Sequence, residues 1–165
     1  MPANLCGPNN NFDLKTSHVL PALIRKFHEA RISGASSVEV WGTGRAKREF
    51  LQVDDLVAAS LFVMTLPLDR YQAATEPMCS NLNVGTGSDV SIGELANQIK
   101  DIVGFSGDVV YNTNYPDGAP RKLLDVTLMK SLGWEAQINL RDGIESTYAH
   151  FAESLNGNTA DRIAQ

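Results

Sequence analysis

The stretch Val38-Glu39-Val40-Trp41-Gly42-Thr43-Gly44-Arg45-Ala46-Lys47-Arg48-Glu49-Phe50-Leu51-Gln52-Val53-Asp54-Asp55 changes its periodicity along its length. Val38 and Val40 alternate with Glu39 and Trp41, the period of a half-buried strand. Gly42-Thr43-Gly44 is a turn, and Phe50 to Val53 is a second short strand. Asp54 and Asp55 stand where a helix cap is expected, because carboxylates accept hydrogen bonds from the free N–H groups of a first turn. The segment Leu56 to Leu66 is apolar nearly all round, which predicts a helix buried on several sides and ended by Pro67. Strand, turn, strand and helix in this order point to an α/β fold.

The flanks agree. Upstream, Met1 to Asn11 reads as the end of a strand plus a loop. Ser17 offers a helix cap, Pro21 fits the first turn, and Leu20, Leu23, Ile24 and Phe27 form an apolar stripe up to Ala30, closed by Gly34. Downstream, Leu68 to Ser80 is irregular, and Leu82-Asn83-Val84 leads as a strand into the turn Gly85-Thr86-Gly87. Ser91 and Glu94 make a capping box for a helix with Ile92, Leu95, Ile99, Ile102 and Val103 on one face. Val109-Val110-Tyr111 is a strand, and Asn112 to Lys122 a long loop. Thr127 to Leu132 is a short helix stopped by Gly133. Asn139 caps a last helix bearing Ile144, Tyr148, Phe151 and Leu155. The folded unit is expected over residues 1–155, with a polar tail over 156–165. No strand with a glycine-rich turn opens the chain, as a complete dinucleotide-binding fold would require.

A chain of 165 residues suits one domain with a real core. The net charge of −5 excludes a general nucleic-acid binder but leaves room for a local basic pocket. No apolar run reaches membrane-span length, and no signal-peptide pattern is present. Cys6 and Cys79 make no metal spacing, so a reducing, cytoplasmic setting is expected.

Several side chains carry chemistry. His18, Ala22 and Lys26 lie at successive i+4 steps and form one slanting stripe on a helix. Lys26 there reads either as a solvated lysine or as a ligand contact, and His18 either as a cap-region histidine or as a polar contact. Arg45, Lys47 and Arg48 follow the first glycine turn, and a guanidinium can grip a diphosphate through paired hydrogen bonds. Trp41 offers a flat apolar face and one N–H donor. Asp117, in Pro116-Asp117-Gly118, is a turn residue that can also accept from ligand hydroxyls. Gly85-Thr86-Gly87 lacks the full pattern of a phosphate loop and reads as a structural turn. There is no nucleophile elbow, no metal box and no Tyr-x-x-x-Lys pair.

In order, the segments PANLCGPNNNFD, SHVLPALIRKFHEA, VWGTGRAKREFLQVDD, NVGTG and PDGAPRKLLDV resemble the GDP-L-fucose synthase family of the extended short-chain dehydrogenase/reductase superfamily, from Met1 to about Ser154. The resemblance implies the C-terminal, substrate-binding part of a Rossmann-like α/β fold and an NADP-dependent epimerase-reductase acting on a GDP-sugar. It implies that Pro2, Ala3, Asn4 and Leu5 run past the nicotinamide end of NADP. It implies that His18 returns a proton during epimerisation and also lies at the cofactor. It implies that Lys26, Trp41, Arg48 and Asp117 hold the GDP-sugar. Such chemistry needs an acid and a base beside a ketone, then a hydride and a proton donor. Cys6 stands where the family usually has tyrosine, and the family's catalytic cysteine lies upstream of the matched region. The expected readings are a sugar-nucleotide-binding portion inactive alone, a free-standing binding module, an accessory chain completing a separately encoded N-terminal half, or a non-functional remnant. The family is homodimeric, and Met1 matches an internal methionine of its full-length members.

Overall fold

Strand β1 (Asn4–Cys6) begins the fold in a computed structural model that describes residues 1–163, with side chains up to Leu155. Helix α1 (Val19–Ser33) and strand β2 (Ser37–Trp41) follow. Next come β3 (Lys47–Arg48), β4 (Phe50–Gln52), α2 (Val53–Thr65) and α3 (Leu68–Ala74). Then β5 (Val90–Ser91), α4 (Ile92–Val103), β6 (Asp108–Asn112), β7 (Arg121–Lys122), α5 (Thr127–Leu132) and α6 (Leu140–Ile163) complete the order. β1 pairs with β4 and β2 with β6, both parallel. β3 lies between antiparallel β5 and parallel β7, setting Arg48 opposite Val90 and Lys122. The result is mixed α/β with parallel pairing.

The local rules explain most of these elements. Val38 and Val40 of β2 are buried while Glu39 and Trp41 face out, as alternation requires. Leu20, Leu23, Ile24, Phe27 and Ala30 of α1 are buried, and Gly34 closes the helix at φ 68°. The α4 capping box forms, with the Glu94 N–H donating to Ser91 Oγ at 3.1 Å and the Ser91 N–H to Glu94 Oε2 at 2.8 Å. Gly133 ends α5 at φ 101°. Asn139 Oδ1 accepts from the Asp142 N–H at 3.0 Å at the start of α6. The helical backbone of α6 continues to Ile163, into the stretch expected as a tail.

Two apolar clusters result. One joins α1, β2 and α4 with Phe105, Ile144 and Phe151. The other gathers Leu51, Ala59, Leu82, Val84, Met129, Leu132 and Trp134. Cys6 sits in the first, and burial pushes its thiol up to about 12, while Cys79 is exposed.

Five expectations are corrected. The residue capping α1 is His18, without a side-chain bond, and the Ser17 hydroxyl is buried with no partner among the described residues. Val53 begins α2 instead of ending a strand, and the Gln52 side chain caps that helix. Asp55 is instead a buried anchor for the chain before α6: its carboxylate accepts from the Gln137 N–H at 3.1 Å and the Ile138 N–H at 2.9 Å. The irregular stretch after Pro67 forms α3, where Tyr71 and Ala74 pack on the second cluster. Leu82 to Val84 makes one parallel bridge, Val84 to Pro2, not a ladder.

The helix read as buried on several sides is also half open. In α2 only Asp55 and Ala59 are buried, while Val57, Leu61 and Met64 are 53%, 58% and 81% exposed. Their 4 and 3 residue spacings put them on one face. Among the described residues, nothing covers that face.

Replacing the buried Asp55 by alanine takes the acceptor from the Gln137 and Ile138 N–H groups and is expected to destabilise the chain by about 1–3 kcal/mol. Denaturant unfolding of D55A beside D55N checks this, with the asparagine variant less affected because it keeps one acceptor oxygen.

Candidate sugar-nucleotide site

Helix α1 and strand β2 bring Lys26 to Trp41. Lys26 Nζ lies 4.8 Å from the centre of the indole and donates to the Glu39 carbonyl at 3.1 Å. Burial pulls the Lys26 pKa down and Glu39 pulls it back. Both side chains line a cavity of about 220 Å³ with Ser17, Val19, Leu23, Val40 and others. Its walls are mostly apolar, with Lys15 and Lys26 as cations and Ser17, whose hydroxyl is unpartnered among the described residues, also lining it. That is the composition expected of a small-molecule site, where a few polar groups orient a ligand held by apolar surface.

Beyond Trp41 the chain turns at Gly42, whose φ of 80° favours glycine. A Cβ there would meet Asp117 Oδ1 at 2.3 Å. Asp117 accepts from the Thr43 N–H at 2.6 Å and the Thr43 hydroxyl at 2.7 Å. The Thr43 hydroxyl and then its N–H hold the Asp117 carboxyl below its ordinary pKa. Both Asp117 oxygens therefore fasten the turn. Arg48 Nη1 donates to the Lys47 and Ala119 carbonyls, each at 2.7 Å. Its Nε and Nη2 make no hydrogen bond among the described residues.

The N-terminal run forms one wall of a second cleft. Pro2, Ala3 and Asn4 line about 370 Å³ together with Glu49, Lys122, Leu123 and Leu124. Leu5 turns away and packs on the second apolar cluster. His18 is exposed at the head of α1, two turns and about 12 Å along the axis from Lys26. Gly85-Thr86-Gly87 is no phosphate cradle: the Gly87 N–H already donates to Glu49 at 2.7 Å.

The sequence profile described as the NAD dependent epimerase/dehydratase family matches residues 1–74. A GDP-L-fucose synthase of Escherichia coli (strain K12) is 52% identical over 154 residues, which is 93% of this chain and 48% of that protein. Over this region the chain is similar to the epimerase/dehydratase family. A solved GDP-6-OMe-4-keto-L-xylo-heptose reductase from C. jejuni aligns with TM-score 0.82 and 36% identity, covering 93% of this chain and 53% of that one. An NADP-bound GDP-L-fucose synthetase from Naegleria fowleri aligns with TM-score 0.80 and 27% identity, over 94% of this chain and 44% of its own. The chain spans about half the length of the curated relatives it matches.

Within this chain, the structure brings together Lys26 and Trp41, and ties Arg48 on β3 to the loop that carries Asp117. Pro2, Ala3 and Asn4 share a different cleft. Sequence reading missed Glu49, Lys122 and Ser17. Lys122 was visible within PDGAPRKLLDV, and its pairing with Arg48 across β3 and β7 needed the fold. Glu49 gave no signal, since a lone glutamate between Arg48 and Phe50 looks solvated.

The Asp117–Thr43 contact has a pH signature. Because the folded carboxyl is lowered, its stabilisation is full above the unfolded pKa and fades as pH falls through the lower folded one. An NMR titration of the Asp117 carboxyl is expected to give a midpoint below that of an ordinary aspartate, and Thr43→Val to raise it back.

Proposed function

We propose that this chain is the GDP-sugar-binding portion of an NADP-dependent GDP-L-fucose synthase, which converts GDP-4-keto-6-deoxy-D-mannose to GDP-L-fucose by epimerisation and reduction. The observation that carries the reading is the Lys26–Trp41 cavity, joined through the Asp117-held turn to Arg48. The cavity takes the flat base, and the free Arg48 N–H groups take the diphosphate with Lys122 beside them. His18 is the acid that returns a proton after one is removed next to the ketone.

The cofactor fit is partial, which agrees with the same reading. The cleft at Pro2, Ala3 and Asn4 is sized for one end of a dinucleotide, and Lys122 gives it a positive wall. NADP, when bound, supplies the hydride. Among the described residues no glycine-rich turn is free to hold its pyrophosphate, and the sequence has no Tyr-x-x-x-Lys pair. The open α2 face of Val57, Leu61 and Met64 favours a partner, and a separately encoded α/β half is the occupant proposed for it. The two unbridged cysteines suit a reducing, cytoplasmic setting.

Calorimetry with GDP is expected to show saturable binding by the chain alone, and Arg48→Ala to weaken it by about 1.5–3 kcal/mol. An unchanged dissociation constant in R48A removes the diphosphate assignment. NADPH oxidation dependent on GDP-4-keto-6-deoxy-D-mannose is expected to be absent with the purified chain and to appear only when a glycine-turn half is added. Turnover by the chain alone overturns the inactive-portion reading.

A further inference from the structure

Tyr115 belongs to none of the assignments above, yet its ring stacks on Trp41, with centroids 4.4 Å apart and planes 13° from parallel. Both rings stay largely in water, Trp41 at 52% and Tyr115 at 42% exposed. Burial is therefore not what aligns them, because most of their apolar surface remains uncovered. Polar contacts do so. Glu39 accepts from Trp41 Nε1 at 3.1 Å with one oxygen and from Asn112 Nδ2 at 2.9 Å with the other. Asn112 pairs with Trp41 across β2 and β6, and its carbonyl accepts the Tyr115 N–H at 3.3 Å. One carboxylate thus fixes the indole, and the turn after β6 delivers the phenol ring to it.

The position of the stack gives it a use. Trp41 and Lys26 line the 220 Å³ cavity, whereas Tyr115 does not. The indole is the shared member: it stacks on the phenol ring, and it lines the cavity beside Lys26, whose Nζ lies 4.8 Å from its centre. The Glu39 bond holds one edge of the indole, and a ligand that packs against the ring must still stop the rocking left to it. A second ring packed behind removes part of that cost before binding.

Resting on the reading that the cavity receives the base of a nucleoside diphosphate, we propose that Tyr115 is a positioning residue for that base, backing Trp41 so that the indole keeps its place beside Lys26 at the cavity wall. Tyr115 acts through Trp41 and on the base alone. The diphosphate lies with Arg48 on β3 and is untouched by the stack.

The test uses the full 165-residue chain, with Tyr115→Ala and Tyr115→Phe. Calorimetry with GDP and with inorganic pyrophosphate separates base from phosphate, and acrylamide quenching reports exposed Trp41 against buried Trp134. Y115A is expected to weaken GDP binding by roughly fivefold or more, the lower range for lost aromatic support of a stacked base. Pyrophosphate affinity stays at the wild-type value, Trp41 quenching rises, and Y115F behaves as wild type. Equal GDP affinity in wild type and Y115A overturns the inference alone. So does an equal loss for pyrophosphate, a Y115F defect as large as that of Y115A, or unchanged quenching in Y115A. Absence of GDP binding by the wild-type chain instead sinks the sugar-nucleotide reading on which the inference rests.

Discussion

Glu49, whose carboxylate is buried, ties its own stretch to three other segments of this chain. It is 1% exposed. Its oxygens accept from the Gly87 N–H at 2.7 Å, the Leu124 N–H at 2.9 Å and the Thr86 hydroxyl at 3.4 Å. Its carbonyl accepts from Asn4 Nδ2 at 2.7 Å. A charge taken out of water is tolerable only when donors replace the lost hydration, and here backbone N–H groups do so. The arrangement also dictates a glycine: a Cβ on Gly85 would stand 2.4 Å from Glu49 Oε1. Because Glu49 points inward between Arg48 and Phe50, the strand must present Arg48 to the opposite side, next to Lys122. The basic groups of the site thus follow from an acidic group whose oxygens are already taken by backbone donors.

Polar contacts of this kind do more to hold the site than apolar packing does. The long loop after β6 is fastened by the Asp117–Thr43 bonds, by Arg48 on the Ala119 carbonyl, and by the Lys47 N–H on the Pro120 carbonyl at 2.8 Å. None of these needs the loop to bury much surface. A loop held so can stay open to solvent while keeping a fixed shape, which suits a surface that must meet a polar ligand.

Periodicity and capping made the framework legible in sequence. The α4 capping box, the Gly34 and Gly133 helix ends and the alternation of β2 are local devices, and each appears where its residues predict it. What sequence hid was set by contacts between distant segments. Asp55 looked like a cap because acids before an apolar helix usually are, and only the approach of residues 137 and 138 shows its use. The helix α3 was hidden because Tyr71 and Ala74 find their apolar partners in the second cluster, which includes Met129 and Leu132 of α5. The open face of α2 shows the limit of composition: it gives how much surface a helix must cover, not whether the partner is in the same chain. For the site, the resemblance brought out Lys26, Trp41, Arg48 and Asp117, and the structure adds that Asp117 already has partners.

The two thiols differ in a way that reaches beyond the fold. Alkylating reagents attack the thiolate, and Cys6, buried and raised to about 12, is almost never in that form near neutral pH. Cys79 is exposed, beyond the end of α3 and the cavity bordered by Leu56, Tyr71 and Ser80. A maleimide dye will therefore attach at one place without any cysteine being removed by mutation. That place directly precedes Ser80, which shares a cavity with Leu56, Ser60 and Val63 of α2, so the native chain carries its own attachment point for a reporter on that side of the helix.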